Sequence, residues 1–195
     1  MRGPFVVFSL CLGLLLSGCA YQGTPDPEVT SRDKEWLPKV PQHEIDVRFR
    51  RFLMNYQTKE KPGTIIIDTK YRHLYFVLPE GKAIRYGVAV GGEAYGWTGV
   101  AHVARKAEWP FWTPTPAMMR RWSHVGPTPG GPHNPLGARA LYLYQGNVDT
   151  LYRIHGTNQP SDIGRNVSSG CIRMANIDAI DLYNRTPIGT KVIVK

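Results

Sequence analysis

From residue 64 onward the chain is a series of short apolar segments separated by turn residues. TIIIDT (64–69) leads into YRHLYFVL (71–78), PEGK makes a turn, and AIRYGVAVGG (83–92) follows with alternating apolar and polar positions. GVAHVARKAEW (99–109), ALYLYQ (140–145), LYRIHGT (151–157) and KVIVK (191–195) continue the series. Val, Ile, Tyr and Leu fill these segments and Gly, Pro, Asn and Asp bound them, which predicts an all-β sandwich or barrel. Two places break the two-residue period. NIDAIDLYNRT (176–186) sets Ile177, Ile180 and Tyr183 at three-residue spacing, predicting a helix with Asn176 as N-cap and Asp178 in the first turn. TPAMMRRWS (115–123) predicts a helical turn inside a proline-rich insertion over 110–137.

Before residue 63 the pattern is different. Phe5 to Leu16 is one apolar run behind the positive Arg2. It is shorter than the roughly 20 apolar residues of a permanent span and suits the core of a secretory signal. Its end, Leu16-Ser17-Gly18-Cys19, resembles a bacterial lipobox, which implies cleavage before Cys19 and a lipid on that sulfur. Ala20 is not the Asp that resembles an inner-membrane retention signal, so a periplasmic protein anchored in the outer membrane is expected. Residues 19–62 hold TPDP, EWLPKVP and KEKPG and predict an extended linker. Within them HEIDVRFRRFLMNY (43–56) fits an edge strand or a short helix equally. The organisation expected is a signal (1–18), a lipid-anchored linker (19–62) and one domain (63–195).

Export changes the meaning of the cysteines. Cys11 leaves with the signal, Cys19 becomes a thioether, and Cys171 remains alone. A single thiol in an oxidising compartment has no disulfide to explain it and is a candidate nucleophile. The formal charge of +9 is spread along the chain. Export excludes nucleic acid as partner, whereas an anionic wall polymer suits a basic surface. The histidines lack the close spacing of a zinc site, and no phosphate-binding loop is present, so neither metal nor cofactor is expected.

A cysteine nucleophile needs a base beside it and an oriented imidazole. His155 ends the segment LYRIH, and Cys171 closes the polar loop that follows. Gly170 permits close backbone approach, and its amide with that of Cys171 could form an oxyanion hole. IHGT followed by SSGCIRM resembles the active-site motif of the L,D-transpeptidases of the YkuD type. GTIIIDTKYRHLYFVL resembles that domain's opening hairpin, NPLGARALYL (134–143) the segment that precedes its catalytic strand, and GTKVIV its closing strand. The resemblance implies a β-sandwich-like catalytic domain with one or two short helices. It assigns Cys171 as nucleophile, His155 as general base and the Gly156 carbonyl as the group orienting the imidazole. Arg173 would bind a substrate carboxylate or order the loop. The family's usual histidine before Gly-Cys is replaced by Ser169, which can hydrogen-bond substrate but carries no charge. Tyr142, Tyr144 and Tyr152 are expected in sheet packing, and His124 and His133 as lid residues.

The reaction so implied takes a peptidoglycan stem peptide as acyl donor. A second stem as acceptor gives a 3→3 cross-link, water gives an L,D-carboxypeptidase product, and an amine on an outer-membrane protein gives a wall anchor. Carbapenems should acylate the same sulfur. The alternative from another class is a non-catalytic wall-binding lipoprotein.

Overall fold

The computed structural model describes residues 23–92, 96–122, 124–168 and 170–195. The segment expected to be a signal (1–18), the expected lipidation position Cys19 and Ser169 lie outside the described residues. Helix α1 (Ser31–Trp36) comes first, then strands β1 (Phe52–Asn55), β2 (Ile65–Asp68), β3 (His73–Leu78), β4 (Lys82–Gly91) and β5 (Gly99–Glu108). Helix α2 (Pro116–Arg121) follows, then β6 (Arg139–Gln145), β7 (Val148–His155), β8 (Asn166–Ser168), β9 (Ile172–Met174), helix α3 (Asn176–Arg185) and β10 (Lys191–Val194). Each segment that the alternation marks as a strand is one, and both expected helices are present.

The strands run in the order β1-β4-β3-β2-β10-β5-β6-β7-β9, and the far end returns to β4 through Val88↔Met174 and Ala89↔Arg173. This gives a mainly β, sandwich-like fold around a main core. Ile65, Ile67, Leu74, Tyr86, Val103, Leu143, Ile154 and Met174 fill it, with Leu182 of α3 laid against it. β-branched side chains on the inward face of each pleat supply the burial that holds the strands together.

The N-terminal segment departs from the extended linker expected of it. Thr30 caps α1 through a reciprocal capping box with Asp33. Asp33, fully buried, receives Arg139 at 2.8 and 2.6 Å and the Trp109 indole N–H at 2.7 Å. Trp36 meets Trp109 edge-to-face at 5.1 Å, and Val40, Trp109, Ala138 and Ile180 make a second small core. Residues 43–56 contain both alternatives expected of them, a 3₁₀ turn at Val47–Phe49 and the edge strand β1. Phe49 wedges against Gly164 so closely that a Cβ there would lie 2.3 Å from its ring, and Gly164 has φ +87°. The segment is therefore fastened to the loop between β7 and β9.

Under α3 lies a buried polar group. The Tyr86 hydroxyl donates to Asp181 at 2.6 Å, and Arg51 reaches Asp178 at 3.5 Å and Asp181 at 3.8 Å. Burial pushes the Asp178 carboxyl up to about 7, with Arg51 opposing and Asp181 adding to the shift. Asn176 is not the N-cap expected; Ala175 holds that position, and the amide of Asn176 serves the neighbouring loop instead.

Candidate active site

β7 and β9 are parallel neighbours, with Ile154 opposite Ile172 and His155 opposite Arg173. The two isoleucines point into the core. By alternation Arg153, His155, Cys171 and Arg173 share the other face. This pairing brings together the histidine and the cysteine that are distant in sequence.

The imidazole is fixed from behind. His155 is buried, and its Nδ1 donates to the Gly156 carbonyl at 2.5 Å in the tautomer that pairing requires. Asn176 holds that carbonyl's surroundings rigid: its Oδ1 accepts from Ala138 N at 2.9 Å and Thr157 N at 3.1 Å, and its Nδ2 donates to Thr157 O at 2.8 Å. A Cβ on Gly156 would sit 2.1 Å from the Asn176 Oδ1, so only glycine fits. Burial drives the His155 pKa down to about 3; the charges of Arg173 and Arg153 add to this, and the Gly156 carbonyl opposes it. The ring is neutral at physiological pH, with Nε2 as its basic nitrogen.

Cys171 is half-buried, and its Sγ lies 3.8 Å from the Leu151 carbonyl, toward which the thiol points. That carbonyl is placed by a bulge in β7 between the pairs Tyr142↔Arg153 and Tyr144↔Asp149. Leu151 adopts φ +62°, uncommon for a branched residue, and its N–H donates to Asp149 at 2.8 Å. Burial pushes the Cys171 thiol up, while the Arg153 backbone N–H and the charges of Arg153 and Arg173 pull it down. One side of the residue opens to the cleft, so water screens part of the burial effect. The resting pair is thiol and imidazole.

Arg173 donates to Asp162 at 2.7 Å and to Gln159 at 3.2 Å, both in the loop between β7 and β8. Gly170 is buried with φ +123°, a backbone conformation suited to glycine. His124 and His133 are exposed and neither lines the cleft beside the thiol. Tyr142 and Tyr152 do line it, beyond the packing role expected, while Tyr144 sits against His102. Sequence reasoning did not single out Arg105, Arg153, Leu151 or Trp112, all of which line the same cleft of about 730 Å³. Arg105 lies on β5, Leu151 and Arg153 on β7 and Trp112 in the insertion, and no local pattern in the sequence joins them. Among the described residues no group of His, Cys, Asp and Glu is arranged to hold a metal.

The chain matches the family model of the L,D-transpeptidase catalytic domain (YkuD) over residues 62–194. It is 36% identical over 136 residues to the probable L,D-transpeptidase ErfK/SrfK of Escherichia coli, covering 66% of this chain and 42% of that protein. It is 33% identical over 132 residues to the putative L,D-transpeptidase YqjB of Bacillus subtilis, covering 67% of this chain and 69% of that one. The chain spans less than half the length of the first of these relatives. Among solved structures, a Brucella melitensis protein named a probable carnitine operon oxidoreductase superposes with a TM-score of 0.53 at 48% identity, over 77% of this chain and 96% of that one. A mutant L,D-transpeptidase of Enterococcus faecium shares the fold, with a TM-score of 0.54 at 17% identity over 69% of this chain and 50% of that one. By its match over residues 62–194, the chain belongs to the YkuD-type L,D-transpeptidase family.

Proposed function

We propose that this protein is a peptidoglycan L,D-transpeptidase that works through an acyl group on Cys171. The observation that carries this reading is the clamp on His155: its Nδ1 is held by the carbonyl of Gly156, just past the end of β7, the strand that pairs with β9, leaving Nε2 to take a proton. In the first half-reaction the Cys171 sulfur attacks the carbonyl of the third stem residue as the thiol proton passes to His155 Nε2. The amides of Gly170 and Cys171 receive the oxyanion. Collapse breaks the peptide bond to the terminal D-alanine, whose nitrogen takes the proton from His155, and a thioester remains. In the second half-reaction a side-chain amine of another stem attacks the thioester, loses its proton to His155, and the thiol re-forms.

A raised thiol pKa and a lowered imidazole pKa make an ion pair costly before substrate binds. Proton transfer and attack are then coupled, and the site rests in a form less exposed to oxidants, since the thiolate is the reactive species. Ser169 would contact substrate near the oxyanion, and Cys19 would carry the lipid that holds the enzyme at the outer membrane, facing the periplasm. The test is product analysis with a disaccharide tetrapeptide. Released D-alanine with a 3→3 dimer supports transpeptidation, tripeptide alone makes the protein an L,D-carboxypeptidase, and neither product overturns the reading.

A further inference from the structure

Three side chains stand in a row that ends at the thiol. Arg105 of β5 is directly opposite Tyr142 of β6, and Tyr142 is directly opposite Arg153 of β7. Because Ile154 pairs with Ile172, Cys171 is level with Arg153 on the next strand. Directly opposed residues share a face of the sheet, and all four line the same cleft. The Tyr142 ring lies between two guanidinium groups, with Arg105 3.6 Å and Arg153 4.5 Å from its centroid.

The two cations differ in what they have left to offer. Arg153 is gripped by Asp149 at 2.7 and 2.8 Å. Arg105 is exposed and makes no ion pair with the described residues; its guanidinium carbon lies 3.6 Å over the Tyr142 ring, a contact that holds the group without neutralising it. A guanidinium held over a ring with its donors unspent is suited to a carboxylate. Neighbouring strands are about 4.8 Å apart, so the backbone of Arg105 is roughly 14 Å from that of Cys171. Its guanidinium lies over Tyr142, back toward the sulfur. Leu136, Leu151 and Met118 supply apolar surface along the same cleft.

We propose that Arg105 is a specificity residue that receives a carboxylate at the far end of the donor residue's side chain. This rests on the reading of the cleft as the acyl-donor site. With the scissile carbonyl at the sulfur, a side chain of about six bonds reaches roughly 7 Å when extended. Its methylenes lie along Tyr142 and its terminal carboxylate meets Arg105. The donor selected is a stem whose third residue ends in a free carboxylate, against one ending in a plain amine or a carboxamide.

Binding to the full chain carrying Cys171→Ala tests this without any chemistry. Three tetrapeptides are compared by calorimetry: one with the distal carboxylate free, one with it amidated, and one with lysine in that position. The free carboxylate should bind about ten- to a hundred-fold more tightly than either, as expected for a charge-assisted contact. Adding Arg105→Gln should erase the preference, and Arg105→Lys should restore part of it. Alkylation of Cys171 by iodoacetamide in the Arg105→Gln single variant should match the unsubstituted protein, which separates a role in recognition from one at the sulfur. A preference that survives Arg105→Gln overturns the proposal, because another group then reads the distal carboxylate. Absence of any preference overturns it as well. Preferential binding without acyl transfer by the unsubstituted chain would uphold the carboxylate site and overturn the transpeptidase reading instead.

Discussion

Replacing Asp33 by Asn would keep the side chain's shape and remove its charge from beneath Arg139. Both partners are almost wholly buried, at 0% and 2% side-chain exposure, and their shortest contact is 2.6 Å. Breaking such a pair leaves an uncompensated buried cation and costs about 3–5 kcal/mol. For a domain of this size each kcal/mol shifts Tm by about 2–4 °C, so the melting point should fall by roughly 6–20 °C. Acid provides a second handle. Burial alone would raise the Asp33 carboxyl, but Arg139, the Thr30 backbone and Trp109 outweigh it and hold the pKa at about 2. A folded pKa below the ordinary 3.8 means stability that is present above pH 4 and lost as pH falls through about 2. The Asn variant should lack that part of the acid sensitivity. Thermal melts of both proteins by circular dichroism at pH 7 and across pH 2–5 measure both effects. The double variant Asp33→Asn with Arg139→Met should recover much of the loss, because no charge is then left unpaired. A drop below about 1 kcal/mol would refute the reasoning and return α1 to the status of a loosely attached linker.

Two further outcomes follow from the site. Gly156→Ala should abolish activity while the fold survives at reduced stability, because the new Cβ collides with Asn176 and displaces the carbonyl that holds His155; tetrapeptide turnover beside a thermal melt checks it. His155, with its pKa at about 3, remains neutral when folded while the unfolded ring protonates below about 6.5, so it makes the protein lose stability as pH falls from 6.5 toward 3. Asp178, raised to about 7, slopes the opposite way between pH 4 and 7, so the contribution of His155 is read as the difference in Tm between the native chain and His155→Gln.

The strands were legible because their apolar alternation reports a half-buried pleat, and α3 because its period changes. Helix α1 was not. SRDKEW is polar except for its tryptophan, and what fixes it is a carboxylate pairing with Arg139 across more than a hundred residues of sequence. β8 and β9 have three residues each, too short to show a period, and lie on either side of Gly170 in what reads as one loop. The pair His155 and Cys171 was visible from its motif, and the orienting role given to Gly156 has a matching contact in the structure. The row from Arg105 to Cys171 was hidden, because it depends on cross-strand register and on a bulge at Leu151 that no local pattern announces. The same holds for the thiol's protonation. Sequence shows a histidine available to a cysteine, but only the fold shows how deeply both are desolvated.

The central claim is that Cys171 carries the acyl group. Intact-protein mass spectrometry after incubation with a carbapenem tests it most directly. The account predicts a single adduct on the native chain, mapped to Cys171 by peptide fragmentation, and none on Cys171→Ala. An adduct that persists on the Ala variant, or a native chain that takes up none, would contradict it.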